Sequence, residues 1–185
     1  GSFTVEMHNC EFATVRLSGS FRGTEEIVEK TLPVQRLGHV AGDFCSKEVP
    51  TDDTDSITGT WYDTAMSGQG FSIHKIREDW GIVYFYGFDQ ERQPLWLLGV
   101  WTDPLALNME VEVPMDRVTG GTFDLVDPDN IVTEHWGTMK LTMDQCYSGL
   151  AELDGMDGYQ AFDLTQLAGS IDLVCPVNEE VESGE

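Results

Sequence analysis

Two stretches of the chain are apolar at nearly every position: Trp80–Phe88 (WGIVYFYGF) and Pro94–Trp101 (PLWLLGVW). Neither alternates cleanly. On an extended chain Ile82, Tyr84, Tyr86 and Phe88 share one face, and Val83 and Phe85 share the other. A strand apolar on both faces is expected to be covered on both sides. The five residues between the runs, Asp89-Gln-Glu-Arg-Gln93, have hairpin length. The pattern predicts a central β-hairpin around which the other strands wrap. Residues 58–101 also hold Trp61, Trp80, Trp96 and Trp101, four of the five tryptophans.

Elsewhere the period is two. Phe3, Val5 and Met7 alternate with Thr4, Glu6 and His8, and Met139, Leu141 and Met143 with Lys140, Thr142 and Asp144. Both read as half-buried strands. Second strands are expected over 12–17 and 147–153, and third strands over 27–34 and 159–164. Glycine-containing turns at 18–20 and 154–158 separate them. Residues 105–113 (LALNMEVEV) alternate as a further strand, and 123–126 make a short one. Residues 46–56 carry one proline, four acids and almost nothing apolar, which marks a linker. The expected class is all-β, an antiparallel sandwich or barrel.

The two alternating segments also align with each other. Residues 3–10 (FTVEMHNC) lie over 139–146 (MKLTMDQC) at an offset of 136, and Leu17 and Gly19 continue onto Leu153 and Gly155. Residues 32–37 (LPVQRL) lie over 162–167 (FDLTQL) at an offset of 130, and Cys45 falls on Cys175 at that same offset. The change of offset places an insertion in the first copy near residues 21–26. The chain thus reads as an internal repeat of a Cys…Cys β unit. Its expected domains are a closing half-copy over 3–45, an acidic linker over 46–57, a full β module over 58–175 and an acidic tail over 176–185.

Composition narrows the function. Thirty-three acids against ten bases give a net charge of −23. Phosphate binding needs Lys/Arg surface, so nucleic acid is a poor partner. No apolar run reaches the ~20 residues of a membrane helix, and membrane insertion is not expected. The opening Gly1-Ser2 reads as a cloning scar, so an export signal would already be gone.

The four cysteines lack the close Cys-x2–4-Cys pair of zinc sites. Of the three connectivities, the repeat favours Cys10 with Cys45 and Cys146 with Cys175. Free buried thiols are the other reading. Two bridges would staple the fold and place it in an oxidising compartment: secreted, on the cell surface or in the periplasm. His8, His39, His74 and His135 show no metal-ligand spacing. Asp124, Asp127 and Asp129 offer oxygen ligands at short spacing, as a calcium loop does. The order of a calcium-binding helix–loop–helix is missing, and a plain turn accounts for the same residues. Calcium is thus the one cation with candidate ligands, and no organic cofactor is expected. Ser67-Gly-Gln-Gly70 lacks the strand-to-helix context of a nucleophile elbow. The aromatics divide between core and a stacking platform for a carbohydrate, a small ligand or a surface protein. Tyr62, Trp96, Tyr84 and Tyr86 are the candidates for that platform. Tyr62 ends a strand, and Trp96 lies in phase opposite Leu95 and Leu97.

These residues resemble a domain that recurs in secreted and surface proteins of bacteria. Its opening is G-x-W-Y-D-P-x-x-S-G-x-G-F, followed by a W-Y-x-Y-D-x-x-G-x-P-x-W-L-x-G hairpin, a C-N-x-A-x-L-x-Y segment and a closing L-x-R-L with a last cysteine. This chain carries Gly59-Thr-Trp-Tyr-Asp63, Ser67-Gly-Gln-Gly-Phe71, Tyr84-Phe-Tyr-Gly-Phe-Asp89 and Gln93-Pro-Leu-Trp-Leu-Leu-Gly99. It departs at Thr64, where proline is usual, and at Gln166, where arginine is usual. The resemblance implies secretion and modularity, and it brings no activity or ligand with it. A shorter stretch, Thr58-Gly-Thr-Trp-Tyr62, is similar to the opening of calycins, the lipocalin and avidin-like barrels. That similarity would imply a barrel carrying a small apolar ligand. The expectation is a non-catalytic extracellular binding or adhesion module, with the calycin-like barrel as alternative and a hydrolase third.

Overall fold

The computed structural model describes residues 1–20, 27–36, 57–121 and 128–169. The chain divides into two compact units, Gly1–His39 with Thr119–Val132, and Val40–Val118 with Thr133–Glu185. The first holds strands β1 (Ser2–Met7), β2 (Phe12–Ser20) and β3 (Ile27–Gln35), paired antiparallel in that order. The Asn9 carboxamide oxygen accepts the backbone N–H of Glu11 and of Phe12, which tightens the β1–β2 turn. Phe3 and Met7 are each 67% exposed, so one face of this small sheet is apolar and open.

The second unit is a closed antiparallel barrel of eight strands. They are β4 (Gly59–Tyr62), β5 (Gly70–Arg77), β6 (Trp80–Phe88), β7 (Pro94–Trp101), β8 (Glu110–Thr119), β9 (Val132–Gln145), β10 (Ser148–Gly155) and β11 (Gly158–Gly169). Each strand neighbours the next in sequence, and β11 returns to pair with β4. Of sandwich and barrel, the chain forms the barrel. The expected strand over 105–113 begins later, at Glu110, because Leu105 turns inward and is buried. Residue 57, assigned to the linker by composition, is Ile57, and it too is fully buried in the core.

The barrel is filled by its own side chains. Val83 and Phe85 from β6, Leu95 and Leu97 from β7, Met139, Leu141 and Met143 from β9, and Phe162 and Leu164 from β11 belong to one buried cluster. Alternation puts these residues inside and their neighbours outside. At the centre Phe71, Phe85 and Phe162 form a ring triad with centroids 5.1–5.7 Å apart. Trp61 and Trp101 are buried beside it, and the Trp61 indole N–H donates to the Ile57 carbonyl at 2.8 Å. Gly99 leaves room for Met115, Val113 and Val83, whose atoms would crowd any Cβ placed there.

Apolar residues face one another across the strands of both units. Phe3 faces Leu17, Val5 faces Val15 and Met7 faces Ala13. In β9 and β10 Met139 faces Leu153, Leu141 faces Ala151 and Met143 faces Gly149. Next along each sheet, Ala13 faces Val34 and Val15 faces Leu32, while Gly149 faces Leu164 and Ala151 faces Phe162.

Candidate functional site

The β6–β7 hairpin is apolar on both faces, and the two faces have different fates. The inner one packs the barrel. The outer one stays open: Tyr86 is 51% exposed and Trp96 41%. Tyr86 and Trp96 are direct cross-strand partners, as are Tyr84 with Leu98 and Phe88 with Pro94. Tyr84 and Tyr86 lie nearly parallel, with centroids 6.2 Å apart and ring planes 19° apart. Together with Phe88, Pro94 and Gly68 these side chains line an open groove of about 540 Å3. Gly87 belongs to its lining, and a Cβ there would collide with the Phe85 ring beneath. The groove therefore has a rigid wall: large rings mounted on two central strands of a closed sheet. Burial, and then the neighbouring Tyr84, raise the Tyr86 pKa. Its phenol remains a hydrogen-bond donor at neutral pH.

Three of the four residues singled out by sequence, Tyr84, Tyr86 and Trp96, come together here. Tyr62 is half-buried on β4 opposite Thr165, and it does not line the groove. Its neighbour Asp63 has a structural task. One carboxylate oxygen accepts the Ala65 N–H at 2.7 Å, and the other accepts the Asp163 N–H at 3.1 Å. This fastens the turn after β4 to β11.

Sequence reasoning missed a polar pair beside the groove. Ser72 Oγ and His74 Nε2 are 2.9 Å apart on the outer face of β5. The His74 ring meets Tyr84 edge-on at 6.3 Å. The i, i+2 spacing in an alternating strand was the available signal. Burial lowers the His74 pKa, so the imidazole is neutral at pH 7. A serine and a neutral histidine resemble two members of a hydrolytic triad. Among the described residues, however, no carboxylate orients the ring as a third member would.

Of the candidate calcium ligands, Asp124 and Asp127 lie outside the described residues. Asp129 is exposed in a 3-10 turn, Pro128–Asn130. Among the described residues no group of three or more potential ligands is placed to hold a metal ion. Among the described residues, which include Cys10 and Cys146, no cysteine is free. Their expected partners, Cys45 and Cys175, lie outside the described residues.

Fold and site together define an up-and-down β-barrel with a filled interior and an aromatic groove on its outer wall. No protein-family profile, curated protein or solved structure matches the chain.

Proposed function

We propose that this protein is a non-catalytic, extracellular or cell-surface binding module whose groove on β6 and β7 holds a neutral carbohydrate. The observation that carries this reading is the near-parallel pair Tyr84 and Tyr86 beside the exposed Trp96. A pyranose ring has an apolar face that stacks on such rings, and hydroxyls that stay in water above an open groove. A wholly apolar ligand would gain less, because half of it would remain solvated. The charge of −23 disfavours polyanions at the same surface. Outside the groove the wall is charged. On the outer face of β8 and β9, Lys140 pairs with Glu110 at 3.0 Å, an arrangement suited to water.

The finer architecture is part of the same proposal. We read β1–β3 and β9–β11 as two copies of one unit, because their cross-strand pairs coincide after shifts of 136 and 130 positions. In that reading each copy carries its own disulfide, Cys10 with Cys45 and Cys146 with Cys175. The apolar face of β1–β3 is then the counterpart of the barrel's inner face. The similarity to secreted bacterial modules and to calycins accords with a stapled barrel. The packed interior favours the outer groove over a ligand inside the barrel.

A glycan array probed with the whole chain tests the function. Trp96→Ala and Tyr86→Ala are expected to abolish binding while leaving Tm within a few degrees. Binding that survives both substitutions, or an array on which wild type binds no neutral glycan, would refute the reading.

A further inference from the structure

The end of the barrel at the β6–β7 and β10–β11 turns holds a smaller cavity of about 200 Å3. That is below the roughly 300–1,000 Å3 of sites for drug-sized ligands, and it suits one small functional group. Its polar lining is Asp89, Gln90, Asp157 and Gln160, and its aromatic lining includes Phe88, Trp136 and Tyr159. Each donor-bearing group among them already makes one hydrogen bond. Gln90 Nε2 donates to the Asp157 carbonyl at 2.7 Å, and Trp136 Nε1 donates to Asp157 Oδ2 at 2.7 Å. Gln160 Nε2 donates to the Met66 sulfur at 2.8 Å, and the Tyr159 hydroxyl donates to Glu152. A carbonyl, a carboxylate and a thioether can only accept, so chemistry fixes the orientation of both glutamine amides. Left over are the acceptors Gln90 Oε1, Gln160 Oε1 and Asp157 Oδ1, together with a second N–H on each glutamine amide.

Charge points the same way. The Asp89 side chain is only 5% exposed; it accepts the Gln93 N–H at 2.7 Å and lies 3.7 Å from the Arg117 guanidinium. Asp157 has no cation beside it among the described residues.

We propose that the barrel mouth binds a small organic ammonium group, with Asp157 as its counter-ion, the two glutamine oxygens as further acceptors and the aromatic wall around it. An ammonium brings three donors and a positive charge, which complement three acceptors of which one is a carboxylate oxygen. Rings attract a cation through their faces. A carboxylate or phosphate would meet the like charge of Asp157, and an alcohol would leave that charge without a counter-ion. The overall charge of −23 raises the local concentration of any cation, an effect that salt screens. This inference does not depend on the carbohydrate reading.

The indole N–H signals of the uniformly 15N-labelled chain provide the test, with n-butylammonium chloride, 1-butanol and sodium butyrate added at matched ionic strength. Butylammonium is expected to move the Trp136 signal saturably, while 1-butanol and butyrate leave it in place. Asp157→Asn keeps an acceptor for Trp136 but removes the charge, and it should weaken butylammonium binding by about tenfold or more. No saturable shift with butylammonium would overturn the proposal. So would an equal shift with sodium chloride or butyrate, or equal movement of all five indoles. If Asp157→Asn fails to fold, the comparison of the three probes on wild type still decides.

Discussion

Replacing Phe85 by alanine removes the ring at the centre of the barrel. Phe85 is buried, its centroid 5.2 Å from that of Phe71 and 5.7 Å from that of Phe162. A Phe→Ala change in a packed core costs about 3–5 kcal/mol, the transfer term plus the cavity left behind. Two lost ring pairs, each worth about 0.5–1.5 kcal/mol, put this site at the upper end of that range. Collapse offers little relief, because a closed wall of hydrogen-bonded strands cannot move inward on one side only. At about 4 °C per kcal/mol, Tm should fall by roughly 15–20 °C. Thermal and urea unfolding followed by circular dichroism would measure it, with the urea slope unchanged if only stability moves. The double variant with Phe162→Ala should lose less than the sum of the singles, since the two share one contact. A loss below about 1 kcal/mol for Phe85→Ala would refute the argument. It would mean that the triad lines a hollow barrel, and the case for an interior ligand would return.

Arg92, in the β6–β7 turn, has a φ of 64°, a conformation that costs an L-residue about 1–2 kcal/mol. Arg92→Gly should raise stability by about 0.5–1 kcal/mol after the entropy of glycine is counted, and a lower urea midpoint would contradict this. His74 sets a pH dependence: its pKa in the folded chain lies below the ordinary 6.5. The unfolded chain therefore binds more protons between the two values, and stability falls as pH drops through 6.5 and levels off below the folded pKa. His74→Gln should remove that component from Tm measured between pH 7.5 and 5, and an unchanged slope would show that the ring does not cause it.

Local pattern made the hairpin legible: the two apolar runs coincide with β6 and β7 residue for residue. The alternating segments likewise gave β1 and the end of β9. Barrel closure was not legible, because β11 meets β4 across some hundred residues and no local signal marks which edges join. On β5, Phe71, Ile73 and Lys75 share the inner phase, yet Lys75 is fully buried, which alternation of apolar and polar residues would not predict. The aromatic groove was half legible. Adjacent strands of one hairpin placed Tyr84, Tyr86 and Trp96 together, whereas Tyr62 lies on a strand whose neighbours sequence did not reveal. The mouth was invisible for the same reason: Gln90, Trp136, Asp157 and Gln160 meet only once the ring is closed. Arg92 hid a turn signal, since a positive φ is carried there by a residue other than glycine.

Every neighbouring pair of strands in the barrel is consecutive in the chain except the last, β11 with β4. Assembly can therefore proceed hairpin by hairpin, with one long-range step at the end. Until that step, β4 and the newest strand both present unpaired backbone edges, the condition under which chains associate wrongly. The entropy of joining distant ends grows only slowly with loop length, yet it is lost before the β11–β4 contacts form, which makes this the slow step. A chain stopped after β10 would retain most of its local pairings and still expose two edges. The twelve residues of β11 thus decide whether the earlier strands form a soluble barrel or a surface for aggregation.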